Sequence, residues 1–482
     1  MAYTIPNLLR RLFGEGALSA ALIPIYTEQL HQDKKAARSL ASSVVTLLVI
    51  ILAALTLLGE GFIYLYRNLV GDESKTLLVL NLAAIMLPYM IFICAVATIG
   101  GLLNVHRHFA APAAAPALFN VCLITAIVFL RKLFGPDPWR QIYVVAAAVL
   151  VAGVLQLMMQ FAALRKSGIQ LGCNFNFRQA ALRKVIKLMG PMLIGLSAVQ
   201  INAYLDYLVA FFLSASEESG STFTLFGRVF SYPVVEGSVA HLWYAQRLYQ
   251  MPLAVFGIAL ATAIFPLLSQ QVTLKDYRSF SDTLAQGFRL VCFMALPVTV
   301  GLIMIRVPLV EVLFERGKFR QEDSHQVAIT LMFYTLGISA YFLQQLVVRA
   351  FYSFQDSVTP VKVAVWVIGL NLILNLSLIW GLGTGGLALS TAVCAFLQVG
   401  ILLRILLKRF DLHVTKQLGS SLFKTALACA AMAIGCQVVF SLLTEASALS
   451  RLLGGLIVSS IIFIGVSLLV KNPELTALLG RR

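Results

Sequence analysis

Charged residues are scarce in this sequence: Asp, Glu, Lys and Arg make up 12% of its 482 residues, about half the roughly 25% of an ordinary soluble domain. Polar tracts large enough for a separate soluble domain are missing too, because apolar runs of about 20 residues, the length that crosses a bilayer, recur from end to end. With 59% hydrophobic residues and a mean hydropathy of +0.87, the chain has the membrane as its solvent nearly throughout. Acidic residues are the scarcest charges, 21 against 37 Lys and Arg, for a formal net charge of +16. The basic residues are scattered among short connections, which argues against nucleic acid as a partner and leaves membrane topology as their main role. There is no CxxC among the seven cysteines, so neither a disulfide framework nor a cysteine metal site is implied, and they read as small buried hydrophobes. HExxH, P-loop and GxSxG motifs are absent, and the six histidines show no ligand spacing. His106 and His108, flanking Arg107, read as solvated loop residues. A membrane-embedded transferase would need a carboxylate or histidine cluster at one membrane face, and none stands out, so the chain does not read as an enzyme.

What is present is a series of apolar runs bounded by charges or turn residues. They predict an all-α polytopic protein with about thirteen transmembrane helices, near 7–28, 40–66, 77–105, 113–134, 141–164, 189–213, 242–269, 287–313, 326–354, 361–380, 384–407, 420–443 and 452–470. Lys and Arg in alternate connections divide twenty to ten, and the richer set, which includes the tail's Lys471, Arg481 and Arg482, is assigned to the cytoplasm. Thirteen spans and a cytoplasmic tail put Met1 outside with no signal peptide before the first apolar run. The chain also opens on Ile5-Pro6-Asn7-Leu8-Leu9-Arg10-Arg11 with no polar lead-in. Both features lead to the expectation that at least one helix precedes this sequence in the complete protein, a genuine outside amino terminus being the alternative.

The segment from Ala21 to Leu30 echoes that from Ala263 to Val272 in its placement of Ala, Pro and Gln. Tyr89 through Pro112 to Asn120 echoes Tyr341 through Pro360 to Asn371 in the same order, at offsets of about 242 and 250. Apolar sequences match easily by chance, but the shared order favours duplication into two lobes, as in transporters whose halves rock about a central site. The expected organisation is an amino-terminal lobe over 1–188 with a cytoplasmic amphipathic segment near 178–188, a second lobe over 189–415, and two additional helices over 416–482. The long outer connection 214–241 has no chemistry assigned.

Ionisable residues inside spans cost roughly 2.5–3.5 kcal/mol at mid-bilayer and are functional candidates for that reason. The first group is Arg10, Arg11 and Glu15. Arg11 and Glu15, four apart, share a helix face, which leaves Arg10 about 100° away and free to face an aqueous cavity. The second is Arg247, beside Trp243 and Tyr244, where an interfacial snorkelling arginine is the plain alternative. Guanidinium forks suit a pyrophosphate. Cationic drugs would call for carboxylates instead. The third group is Asp206 with Asn371, Asn375 and Thr391, oxygen donors that suit a dehydrated monovalent cation and equally suit interhelical hydrogen bonding. Arg349, Asp356 and Lys362, around the 351–360 link, read as topology and capping residues.

Three stretches carry a family resemblance. Ile5 to Ser19 followed by Ile23-Pro24, Tyr244 to Pro252, and Phe351 to Val361 resemble the signatures of the MurJ (MviN) lipid II flippases, in order along essentially the whole chain. The resemblance implies a fold of the multidrug/oligosaccharidyl-lipid/polysaccharide (MOP) exporter superfamily, with two six-helix lobes around a central cavity and two extra carboxyl-terminal helices. It implies transport of lipid II, the lipid-linked peptidoglycan precursor, to the outer leaflet of the bacterial inner membrane by alternating access. It maps headgroup-binding arginines onto Arg10 and Arg247, associates the groove of the extra helices with the polyprenyl tail, and adds membrane lipids and cell-wall synthesis proteins as partners. Gln246 departs from the family, which often has an acidic residue there, and the family's first helix is lacking. Sodium, protons or membrane potential are the candidate energy sources, with no cofactor. Another lipid-linked oligosaccharide exporter or a MATE-like drug/cation antiporter remains the alternative.

Overall fold

Lipid offers the backbone no hydrogen-bond partner, so each apolar run must satisfy its own N–H and C=O groups, which a helix does. The computed structural model describes residues 7, 17–70, 74–130, 135, 137–215, 220–225, 228–410 and 417–478. Apart from one short hairpin, its elements are helices. They fall into two compact units, Met1–Gln200 and Ile201–Arg482. The second unit includes the helices after 416 as well as those of 201–415.

The first unit is built from α1 (Ala17–Gln32), α2 (Lys34–Val70), α3 (Ser74–Met86), α4 (Tyr89–Val105), α5 (Ala110–Val128), α6 (Pro138–Lys166) and the start of α7 (Ala180–Phe212). Its core gathers Leu22, Tyr26, Leu40, Leu52, Met90 and Leu102, all buried. Polar bonds fix the connection between α6 and α7 onto α2. Asn174 Nδ2 donates to Ser39 Oγ at 2.9 Å, Gln179 Nε2 to Ser43 Oγ at 3.0 Å and Arg38 Nη2 to Gln170 Oε1 at 2.8 Å. One face of the amphipathic segment near 178–188 is buried and the other, with Arg183 and Lys187, is exposed. From Ala180 it runs unbroken into α7, with Leu182 and Val185 buried and Lys184 paired to Glu28 at 3.3 Å. His106 is likewise not simply solvated, since its Nε2 lies 2.8 Å from Tyr26 Oη. Burial, with His108 adding to it, holds its imidazole below the usual value.

The second unit continues α7 from Ile201. It then has β1 (Thr222–Leu225) and β2 (Arg228–Ser231), α8 (Ser238–Pro252), a π turn (Leu253–Ile258), α9 (Ala259–Thr273), α10 (Tyr277–Phe314), α11 (Gln321–Leu336), α12 (Ile338–Ser353), α13 (Val358–Leu382), α14 (Thr384–Phe410), α15 (Gln417–Leu442), α16 (Ala448–Leu469) and α17 (Pro473–Leu478). The hairpin occupies part of the long 214–241 connection. Its strands pair antiparallel with Phe223 opposite Phe230, and both rings pack near Trp380 of α13. α15 and α16 pack on each other and on α10. α17 is tied back by Arg289–Glu474 at 3.3 Å and by Asn472 Nδ2 donating to Thr425 Oγ1 at 3.1 Å.

Among the described residues nine helices are long and apolar enough to span, and two bent pairs raise the number to eleven. The other two expected spans, 7–28 and 189–213, are only partly among the residues so counted, as Ala17–Gln32 of α1 and Ile201–Phe212 of α7. The bent pairs are where hydropathy alone reads one helix and the backbone makes two. α3 and α4 meet at 41° beside Pro88, which has no N–H to carry the ladder through. α11 and α12 meet at 43° at Gly337, where Tyr341 and Ala392 leave no room for a Cβ.

The duplication has a structural counterpart in these same places. Each bent pair ends in a residue with positive φ, Arg107 at 63° and Gln355 at 59°. The following N–H groups close the same cap, His108 to Leu103 O at 2.9 Å and Asp356 to Phe351 O at 3.1 Å. The next helix then carries a proline at its third residue, Pro112 in α5 and Pro360 in α13. Break, left-handed cap and proline thus recur in the same order in each unit.

Candidate functional site

Five of the eight candidate site residues lie in the second unit and are described; Arg10, Arg11 and Glu15 lie outside the described residues. Asp206 sits on α7 with 1% of its surface exposed, and Asn371 and Asn375 on α13 are fully buried. The four-residue spacing of the asparagines places them on one helix face, turned toward Asp206. Asn375 Nδ2 donates to Asp206 Oδ1 at 2.6 Å and to Asn371 Oδ1 at 2.9 Å. Thr391 Oγ1, from α14, donates to Asp206 Oδ2 at 3.1 Å. The structure therefore brings together all four residues of the third group.

Two more belong with them. Ser390 Oγ donates to Asn375 Oδ1. In the alternative amide orientation of Asn371, which gives up the bond from Asn375, its nitrogen donates to Asn202 Oδ1 at 3.1 Å and Asp206 Oδ1 at 3.2 Å. Of the two, only Asn202 carried a signal in the sequence, one helical turn before Asp206. Every hydrogen bond that Asp206 accepts comes from a neutral group, and among the described residues it has no ion-pair partner. A buried ionised carboxylate without a counter-charge costs several kcal/mol. This cluster of hydroxyls, amides and one carboxylate is suited to taking a proton or a small monovalent cation.

The α13–α14 corner sets that geometry. Gly383 turns the chain at φ 55°, and one residue into the next turn Gly386 lies against α13, where a Cβ would stand 2.4 Å from Leu378 O. That neighbour is backbone, so it cannot step aside as a side chain would. Gly386→Ala is expected to lower stability by about 1–3 kcal/mol through overpacking. Gly400→Ala in the same helix, with nothing within 4 Å, should be neutral or gain up to about 1 kcal/mol of helix propensity. Thermal midpoints of the two purified variants check this; equal midpoints would contradict it.

Arg247 lies on α8, exposed, with its guanidinium carbon 4.8 Å from the Trp243 ring centroid and Nη1 donating to Gln250 Oε1 at 3.1 Å. Among the described residues no carboxylate pairs with it. Tyr244 meets the Trp243 ring edge-on, with centroids 5.4 Å apart, and packs also on Phe314 and Phe319. Its neighbour Gln246 is buried and fixes the rotation of α8, accepting from Tyr207 Oη at 2.5 Å and donating to Tyr334 Oη at 3.0 Å. A neutral amide can accept from one hydroxyl and donate to the other at once, which fits glutamine at this position.

Beyond Pro252 the helix relaxes into the π turn, and Arg349 of α12 braces it, with Nη1 donating to Ile258 O at 3.2 Å and Thr262 Oγ1 at 2.5 Å. Arg349 thus does more than set topology. Asp356 caps as expected, accepting from Thr359 N at 3.0 Å, and also pairs with Arg409. The Thr359 and Arg409 contacts outweigh burial and hold its carboxyl below the usual range.

A family model described as "Lipid II flippase MurJ" matches residues 1–456. A Vibrio cholerae protein named "Probable lipid II flippase MurJ" is 32% identical over 86% of this chain and 77% of its own length. A Rickettsia prowazekii protein of the same name is 29% identical over 90% and 81%. Among solved structures, "Lipid II flippase MurJ, inward closed conformation" superposes with a TM-score of 0.74 at 25% identity, covering 98% of this chain and 91% of that one. An inward-facing MATE-family multidrug transporter of the MOP superfamily superposes at 0.65 with 15% identity, over 85% of this chain and 94% of that one, a likeness of fold alone.

Proposed function

The chain belongs to the MurJ lipid II flippase family, a family of multi-pass inner-membrane transporters, and from that membership we propose that it carries lipid II from the inner to the outer leaflet by alternating access. The observation that bears on the substrate is Arg247: a guanidinium on the exposed face of a spanning helix, stacked on Trp243 and lacking a carboxylate partner among the described residues. Such a group attracts an anion and meets pyrophosphate oxygens two at a time. A drug/cation antiporter would need exposed carboxylates where this chain places Arg247, and Asp206 is buried. The motif residues Arg10, Arg11 and Glu15 would serve the same headgroup. The carboxyl terminus is assigned to the cytoplasm from the distribution of Lys and Arg, and enzymes that polymerise the precursor outside would be its functional partners.

The buried Asp206 cluster supplies the coupling site in this proposal. Its carboxylate, surrounded by neutral donors, requires a proton or Na+ for charge balance, so cation entry and exit would bias the second unit between two states.

The test is complementation: the host's own flippase is depleted, this protein is expressed in its place, and lipid-linked precursor exposed on the outer leaflet is quantified. Restored outer exposure supports the proposal. Accumulation of precursor inside, despite correctly inserted protein, overturns it in favour of another lipid-linked sugar.

A further inference from the structure

A second arginine site lies in the unit 201–482, away from Asp206 and Arg247. Between α10, α15 and α16, toward the membrane face that carries the 443–447 link, is a cavity of about 350 Å³. Arg306 of α10 and Arg451 of α16 line it, with Gln437 and Thr444 adding exposed polar groups and Met304 and Phe440 an apolar wall.

The donors in this cavity outnumber the acceptors. Arg306 Nη1 reaches only its own helix, at Ile303 O, 2.5 Å away, and among the described residues it pairs with no carboxylate. Arg451 Nη2 pairs with Glu311 Oε2 at 3.0 Å, yet its Nε is buried without a hydrogen-bond partner. Glu445 in the link pairs with neither. Of the two guanidinium groups only that of Arg451 has a carboxylate among the described residues, and it leaves a buried N–H unsatisfied where proteins normally leave none.

Depth decides what anion could come. The 38 residues of α10 make a helix of about 57 Å, which exceeds a hydrocarbon core of about 30 Å by roughly 13 Å at each end if centred. Arg306 is about 12 Å below the end at Phe314, which puts it at the edge of the hydrocarbon, where lipid phosphates lie. The neighbouring surface of α15 and α16 is open and apolar, with Ile434, Val438, Leu453 and Ile457 all exposed.

We propose that this cavity binds the phosphate of an anionic membrane lipid between Arg306 and Arg451, with its chains lying along α15 and α16. Snorkelling alone would need neither a three-helix concavity nor converging donors. By the predicted orientation the site faces the outer leaflet, and it is independent of the transport reading because lipid retention is measured without transport.

Native mass spectrometry of the purified full chain provides the test, using phosphatidylglycerol, phosphatidylethanolamine and polyprenyl monophosphate as probes. The protein is expected to retain phosphatidylglycerol under activation that strips phosphatidylethanolamine. Arg306→Gln should reduce that retention about tenfold, and Arg306→Lys, which keeps the charge without the fork, by less. Arg451→Gln is made together with Glu311→Gln so that no lone carboxylate remains, and should match Arg306→Gln. Polyprenyl monophosphate that displaces phosphatidylglycerol identifies the site with prenyl carriers; failure to displace identifies it with phospholipids. Equal retention of the two phospholipids, or folded variants that retain as much as the parent, overturns the proposal.

Discussion

Replacing Arg247 by alanine is expected to abolish complementation in the depleted host while leaving insertion and thermal midpoint nearly unchanged. The side chain is exposed and contributes to the fold only a bond to Gln250 and a stack on Trp243, worth about 0.5–1 kcal/mol for the stack. Its value to an anionic substrate is larger, since a hydrogen bond to a charged group contributes about 1.5–3 kcal/mol, equivalent to roughly 10- to 100-fold in affinity. Arg247→Lys keeps the charge but loses the planar fork and should fall between parent and alanine. Trp243→Ala should weaken transport less than Arg247→Ala, because it frees the guanidinium without removing it. The measurement is the dose of expressed variant needed to restore outer-leaflet precursor. Full activity of a well-inserted Arg247→Ala protein would exclude this arginine from the substrate path.

Asp206→Asn is the second large effect, and its sign on stability opposes its sign on function. The substitution preserves shape and removes a charge that no described cation balances. It should therefore leave the thermal midpoint unchanged or raise it, as replacing unpaired buried charge usually does. Transport should nonetheless fall at least tenfold, and any dependence on Na+ or on pH should disappear. Varying Na+ at fixed pH, then pH at fixed Na+, in reconstituted parent protein identifies which cation matters. If Asp206→Asn transports normally with its cation dependence intact, the cluster is a purely structural network. In that case its bonds between α7, α13 and α14 would be its whole purpose.

Much of this was legible in the amino-acid order because the bilayer imposes one length and one hydrogen-bonding rule. The apolar runs near 361–380 and 384–407 locate α13 and α14 within a few residues. The i, i+4 asparagines share a helix face whatever the tertiary arrangement, and Asp206 is conspicuous as the lone carboxylate of an apolar run. Breaks inside runs were not legible. Hydropathy is continuous through Leu87-Pro88 and through Gly337, and the need for a residue without a Cβ at the second break shows only once Tyr341 and Ala392 are packed against it. The hairpin at 222–231 depends on packing against Trp380, far along the chain. Arg306 is visible as a charge within a span, but its companion Arg451 reads as a loop residue until α10 and α16 are seen side by side. Ser390 shows the same limit: a serine among small residues has no signature until an asparagine is opposite it.

The π turn at Leu253–Ile258 inserts an extra residue into an otherwise α-helical span. That amounts to a phase slip of about 100°: the azimuth of Arg247 below it and that of Thr262 above it cannot both be read from one helical wheel. Annealing of the bulge would turn one half of the span about the other by that angle and lengthen the span by about 1.5 Å, taking Ile258 O and Thr262 away from Arg349. The span thus behaves as two short screws joined by a slipped thread, with Arg349 as the pawl that keeps the thread from running back.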